Sequence, residues 1–250
     1  MHRSPWQPAL SLGAWLRWEM VAPTLQNDSG RILEIGCGRG GFAVRLADRH
    51  AYLGVEPDES SASVAQQRLA HFGSSGEVRV GDVSVVDPAD RFDLVCAFEV
   101  IEHVEDHVTF VRDCASRLRP GGHLVLTTPA GRERFSAADR LVGHYRRYDP
   151  DDLSELVEDA GLEVVELTQY GAPLGNVLER LRQALAAAQR RKTQSMTVSE
   201  RTARSGRLLQ PNDGAFALVT WLATLPARKV QRALPGRGTS LLVVARSPAS

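Results

Sequence analysis

Residues 32–41 read Ile32-Leu33-Glu34-Ile35-Gly36-Cys37-Gly38-Arg39-Gly40-Gly41, and the choice of fold rests on how they are read. A short apolar run breaks into four glycines within six residues. That is the pattern of a strand-to-helix turn whose backbone must come close to a ligand. Taken as Gly36, Gly38 and Gly41, the turn is G-x-G-x-x-G, the dinucleotide fingerprint. Taken as Glu34, Gly36, Gly38 and Gly40, it is acid-x-G-x-G-x-G, which suits another adenosine-bearing cofactor. The turn by itself leaves both readings open.

Outward from the turn, strand and helix patterns alternate to about residue 170. Strands are predicted at 31–35, 52–56, 78–83, 92–100, 123–128 and 162–170, and helices at 41–49, 58–72 and 106–118. A further helix starts at Asp149-Pro150-Asp151-Asp152, with a cap, a first-turn proline and acids at the positive dipole end. Strands separated by helices imply βαβ units: an α/β, Rossmann-like doubly wound sheet with right-handed crossovers. Residues 241–245 read as a last strand. Before it, Leu174, Val177, Leu178, Leu181, Leu185 and Ala188 mark an amphipathic helix. A polar stretch over 193–214 follows, then an apolar helix from 215 towards 234, expected to bend at Pro226. Near the other end, residues 9–20 form a helical pattern carrying Trp15 and Trp18. The organisation read from this is a helical lid segment over 1–30, a core over 31–172 and 238–250, and a helical insertion over 173–237.

Composition narrows the classes. At 250 residues with 43% hydrophobic content, the chain can bury a sizeable core. Its net charge is zero, but residues 1–172 hold 17 basic against 27 acidic residues, whereas 173–250 hold 13 against 3. The basic C-terminal segment suits peripheral contact with an anionic membrane or a homodimer partner. Nucleic acid is disfavoured, because few aromatic residues accompany that charge. Cys37, Cys96 and Cys114 have the spacing of neither a disulfide framework nor a zinc site, so no metal is expected and a reducing, cytoplasmic setting fits. The opening residues carry no apolar signal segment, and the longest apolar run, 215–225, is about half a bilayer span.

Three features separate the two cofactor readings. Glu34 stands inside the first strand, where a hydride-transferring Rossmann domain keeps an apolar residue, and a buried carboxylate there needs a partner. Gly81-Asp82-Val83 ends the third strand with an acid suited to an adenine amino group. Phe92-Asp93-Leu94-Val95, Glu99-Val100-Ile101-Glu102-His103 and Leu118-Arg119-Pro120-Gly121-Gly122 then follow in order. With these motifs the chain resembles the class I S-adenosylmethionine-dependent methyltransferases, particularly small-molecule enzymes similar to those of the ubiquinone pathway. The resemblance implies a seven-stranded sheet, mostly parallel, with an antiparallel last strand beside the sixth. It implies S-adenosyl-L-methionine as cofactor and S-adenosyl-L-homocysteine as product. By the same resemblance Glu34, Gly36, Cys37, Gly38 and Gly40 line the methionine end, Glu56 with Pro57 takes the ribose diol, and Asp82 and Val83 flank the adenine. Phe98 and Glu99 lie under the sulfonium.

A hydroxyl acceptor needs a base, for which histidine is suited. His103 lies beside Glu102 after the fourth strand, and His144 lies in the loop after the fifth. In that loop Tyr145, Arg146, Arg147 and Tyr148 are candidate substrate contacts, cations for an anionic group interleaved with aromatic rings. The expected reaction is methyl transfer to a small-molecule or lipid-linked acceptor, at oxygen of a hydrophobic or anionic metabolite. N-methylation of a small amine, an NAD(P)-dependent oxidoreductase and a non-catalytic cofactor-binding module are the alternatives.

Overall fold

The computed structural model describes residues 8–25, 30–189, 215–234 and 236–249. The polar stretch 193–214 and the side chains of Ala188 and Phe216 lie outside the described residues.

Seven strands form one sheet: β1 (Arg31–Ile35), β2 (Ala51–Glu56), β3 (Glu77–Val80), β4 (Phe92–Phe98), β5 (Leu118–Pro129), β6 (Glu163–Gly171) and β7 (Gly238–Arg246). Their order is β3-β2-β1-β4-β5-β7-β6. β1 to β5 pair parallel, while β7 runs antiparallel between β5 and β6. Along each central strand, successive side chains enter opposite layers. Leu33, Ile35, Val95, Ala97, Leu124, Leu126, Leu241 and Val243 join one core. Ile32, Leu94, Cys96, Phe98, Val125, Leu242 and Val244 join the other. Near-continuous apolar strands are what a sheet covered on both faces requires.

Helices α4 (His107–Ser116) and α6 (Pro150–Glu158) cover the first face, through Phe110, Val111, Leu153 and Val157. The second face takes α1 (Leu12–Val21), α2 (Ala43–Ala47) and α3 (Glu59–His71), through Trp15, Trp18, Val44 and Leu69. Ser11 caps α1 and Asp58, rather than Ser60, caps α3, each accepting from the N–H three residues on. A short α5 (Ala137–Val142) opens on a Ser136/Asp139 capping box and closes on left-handed Gly143.

Several boundaries differ from expectation. The third strand ends at Val80, because Asp82 turns its carboxylate onto the Ser84 N–H and starts a 3₁₀ turn, Val83–Val85. The fourth strand stops at Phe98, where Glu99 takes φ +57°. The fifth begins at Leu118, since Pro120-Gly121-Gly122 is drawn into the sheet edge beside Phe92 instead of closing a helix. Helices α7 (Leu174–Gln189) and α8 (Ala215–Arg232) bound the undescribed stretch, and α8 continues as helix through Pro226. α8 docks on α1. The buried Arg228 guanidinium stacks over Trp15 at 4.9 Å, and Gln231 donates to the Leu16 carbonyl at 3.0 Å. The N-terminal helix is therefore held to the core by its two tryptophans while its Arg17 points elsewhere.

Candidate active site

The ends of β1, β2 and β4 lie side by side, with Ile35 opposite both Val55 and Ala97. At this edge the glycine turn leaves β1. The N–H groups of Gly36 and Cys37 both donate to the Val55 carbonyl. Gly36, Gly38 and Gly40 all have positive φ, where an L side chain is strained. A Cβ on Gly36 would lie 2.5 Å from Val100 Cγ2, and one on Gly40 would press on the Ala65 backbone. A Cβ on Gly38 would meet nothing within 4 Å, so that glycine borders open space. The turn is thus clamped between α3 and the Phe98–His103 segment and open in the middle. This is the cradle an extended nucleoside ligand needs.

Glu56 closes one side of the cradle. Its carboxylate accepts the Gly38 N–H at 2.8 Å and the Asp58 N–H at 3.0 Å. Burial raises its pKa against those two bonds. Two oxygens fixed by backbone donors retain lone pairs for ribose hydroxyls. Pro57 and Asp82 are exposed and Val83 is buried, and the Gly81 N–H donates to the Glu56 carbonyl at 3.0 Å. The residues present therefore fit a bound S-adenosylmethionine.

Glu34 has a partner that the sequence did not reveal. It is 3% exposed, and the Tyr52 hydroxyl donates to its Oε2 at 2.6 Å. Burial pushes its pKa up to about 8, with the Tyr52 bond opposing and Glu56 adding to the rise. Cys37, buried beside it, is raised well above the ordinary thiol by burial and by Glu34. A carboxyl raised above its unfolded value binds its proton more tightly in the native state. Stability is then fully present below about pH 4.5 and falls as pH climbs through 8, by about 1.4 kcal/mol for each pH step of one between those two values. Glu34→Gln is expected to flatten that fall. Urea denaturation of both proteins at pH 5 and pH 8 measures it, and parallel losses in the two would contradict the assignment.

A second cluster lies on the β4 and β5 side. The 3₁₀ turn Ile101–His103 and the loop following α5 are joined by the Tyr145 N–H donating to the Glu102 carbonyl at 2.8 Å. This brings His103 and His144 together, ring centroids 4.6 Å apart and nearly perpendicular. Burial first, and then His144, lowers the His103 pKa to about 4, so its ring is neutral at physiological pH. His144 Nδ1 lies 3.0 Å from Asp139 Oδ1, and its Nε2 lies 4.0 Å from Glu102 Oε1. Asp139 is itself gripped by Ser136 and by two nitrogens of Arg147. Burial opposes its ionisation, but the bonds from His144 and Arg147 win and hold its pKa below the usual carboxylate range. Glu102 is fully buried, and burial together with Glu99 drives its pKa well up. Arg17 of α1 reaches Glu99, 3.0 Å away, directly after β4.

Arg146, Arg147 and Tyr148, read as substrate contacts, all bond within the chain. Arg147 is buried and committed to Asp139, the Ala130 carbonyl and Glu179 of α7. Arg146 donates to the Val104 and Glu105 carbonyls. The Tyr148 hydroxyl bonds His107 Nδ1. Their polar groups are used in holding the loop that carries His144, and only Tyr145 remains well exposed. Sequence reading missed Asp139, Tyr52 and Arg17. The S-x-x-D pattern from Ser136 announces a helix start, but not that its acid turns back onto a histidine five residues later.

A Rossmann-like sheet, a glycine cradle flanked by Glu56 and a histidine cluster beside it are the parts that a class I methyltransferase domain combines. Residues 14–167 match the family model described as a methyltransferase domain, and the chain belongs to that family. S-adenosylmethionine is the cofactor of this class. A ubiquinone biosynthesis O-methyltransferase from Bradyrhizobium diazoefficiens is 32% identical over 153 residues, 55% of this chain and 60% of the relative. The match therefore spans less than two thirds of that relative's length. Among solved structures, the [4+2]-cyclase SpnF shares the fold with a TM-score of 0.62 at 21% identity, covering 100% of this chain and 85% of its own. A Haemonchus contortus phosphoethanolamine N-methyltransferase in complex with S-adenosyl-L-methionine does so with a TM-score of 0.60 at 18% identity, covering 94% and 53%. No described helix is long and apolar enough to cross a membrane.

Proposed function

We propose that the protein methylates a hydroxyl of a hydrophobic small-molecule or lipid-linked acceptor. The observation that carries this reading is the contact of Gly36 with Val100, which sets the cofactor cradle directly against the segment bearing Glu102 and His103. When bound, S-adenosylmethionine supplies an electrophilic methyl group on a sulfonium. The chain's own work is then to bind, orient and deprotonate. Fixing an acceptor in line can contribute roughly 7–11 kcal/mol of barrier lowering. An amine would need only to be neutral, whereas a hydroxyl needs a centre that takes its proton. The cluster of His144 and Glu102, with Asp139 behind it, is built for that task and favours oxygen over nitrogen. Of the two histidines, His103 is the weaker candidate for the base, since burial lowers its basicity.

A hydrophobic acceptor is supported by the insertion. Val177, Leu181 and Leu185 of α7 and Leu218, Val219 and Leu222 of α8 are exposed at helical spacing. The Arg-rich sequence around them suits a surface approach to anionic lipid. The test is thermal denaturation with S-adenosylhomocysteine or NADH, followed by methyl-transfer assays on phenols with alkyl tails of increasing length and on matched amines. Stabilisation by S-adenosylhomocysteine alone, with turnover of tailed phenols, is the expected result. Stabilisation by NADH, or turnover confined to amines, would overturn the reading.

A further inference from the structure

The loop that follows β3 is gripped by a cation that neither the glycine turn nor the histidine cluster uses. Arg117 stands at the C-cap of α4 and is 9% exposed. Its Nη1 donates to the Asp87 carbonyl at 2.7 Å and its Nη2 to the Val83 carbonyl at 3.5 Å, 30 and 34 positions back along the chain. One planar guanidinium thus holds both ends of the segment 83–87, which a point-like ammonium cannot do. The Asp87 carboxylate accepts the Ala89 N–H at 2.8 Å. The grip is therefore on the main chain, and it fixes the course of the loop.

At its start the same loop is fastened to the cradle. The Gly81 N–H donates to the Glu56 carbonyl, and a Cβ on Gly81 would lie 2.4 Å from Val85 Cγ1. The loop is thus folded tightly on itself and tied to the residue read as the ribose acid. A base attached to a ribose at Glu56 comes next to this loop. Asp82 Oδ1 accepts the Ser84 N–H at 2.9 Å, and the bonds from Ser84 hold its carboxyl below the usual range. Asp82 is therefore an ionised group that only accepts hydrogen bonds.

We propose that Arg117 is a positioning residue for base recognition: by holding the 83–87 backbone it keeps Asp82 where the carboxylate meets the adenine amino group. The inference rests on the reading of Asp82 and Val83 as the adenine side of the cradle. Adenine offers a donor at its amino group, which a carboxylate accepts. A base with a carbonyl at that place would set two acceptors against each other. Discrimination between the two bases then depends on how firmly the loop is held, and Arg117 supplies the hold from outside the cradle.

The test compares wild-type protein with Arg117→Met, which keeps the aliphatic stem, and Arg117→Lys, which keeps the charge. Arg119→Met, at a cation paired with Asp93 on the surface, is the control. Each is titrated calorimetrically with S-adenosylhomocysteine and with its inosine counterpart, at a temperature where circular dichroism shows all four folded. Arg117→Met is expected to weaken S-adenosylhomocysteine about 10-fold and the inosine nucleoside less than about 2-fold. Arg117→Lys should show a smaller loss of the same kind, and Arg119→Met none. Hydrogen exchange on the ligand-free proteins gives a second readout. The Val85 and Val86 N–H groups, bonded to the Asp82 and Val83 carbonyls, should exchange roughly 10-fold faster in Arg117→Met, while the amides of β5 keep their rates. Unchanged affinity in both Arg117 variants, or equal weakening of the two nucleosides, overturns the proposal. Binding of neither nucleoside by the wild type would instead overturn the methyl-transfer reading, and base recognition with it.

Discussion

Arg147→Ala is expected to lower the melting temperature by roughly 6–20 °C, the largest stability effect among the site residues. The reason is burial. Arg147 ties Asp139 of α5 to Glu179 of α7 in a part of the molecule nearly closed to solvent, and it also donates to the Ala130 carbonyl. Removing one partner of a buried pair leaves an uncompensated charge, which costs about 3–5 kcal/mol. Arg134, bonded to Glu179 and to the Gly238 carbonyl, cannot swing in to replace it without giving up those bonds. Arg147→Lys should recover only part of the loss, because an ammonium cannot reproduce the fork that meets both oxygens of Asp139. Calorimetry on the three proteins decides the matter. A fall of less than about 2 °C in the alanine variant would mean that the network is not an energetic link between the loop and the insertion.

Methyl transfer is expected to fall about 10²–10⁴-fold in His144→Ala, with stabilisation by S-adenosylhomocysteine unchanged. His144 stands beside His103, which follows β4, and touches none of the glycine turn's hydrogen bonds. Its loss should therefore appear in turnover and not in nucleoside binding. Asp139→Asn is the companion case. The amide keeps the shape but removes the charge that orients and supports the imidazole, so activity should drop while the stability loss stays below that of Arg147→Ala. An equal fall in nucleoside binding and turnover in His144→Ala would place the residue in the cradle instead. Unchanged turnover would remove it from the reaction.

The fold was largely legible because its signals are local. Alternating short apolar runs and helical periods place the strands of a sheet covered on both faces, and the core assignments of Leu33, Val95 and Leu124 against Ile32, Leu94 and Val125 follow that alternation. Errors fell at element ends, where a side chain competes with the backbone. Asp82 ended the third strand by bonding the Ser84 N–H, and Gly122, whose missing side chain lets it lie against the Phe92 and Asp93 carbonyls, extended the fifth. The glycine turn and the position of Glu56 beside it were legible for the same reason as the strands. Its glycines and Glu56 are contiguous with elements whose ends must meet at one edge.

The acceptor half was not. Residues 139, 144 and 147 are close in sequence, and their types suggest charge pairing, but nothing local says that Arg147 turns inward to Asp139 and Glu179 while His144 faces Glu102. That choice belongs to the long-range contacts that fold one loop onto another. By itself the sequence determined a mostly parallel sheet and a glycine turn with an acid at the end of the next strand, since hydrophobic period and backbone stereochemistry act over a few residues. Tertiary structure alone decided which buried carboxylates meet a guanidinium and which, like Glu102, keep one oxygen without a hydrogen bond. Desolvation and ion pairing depend on neighbours far along the chain, as Arg147 with Glu179 and Arg17 with Glu99 show.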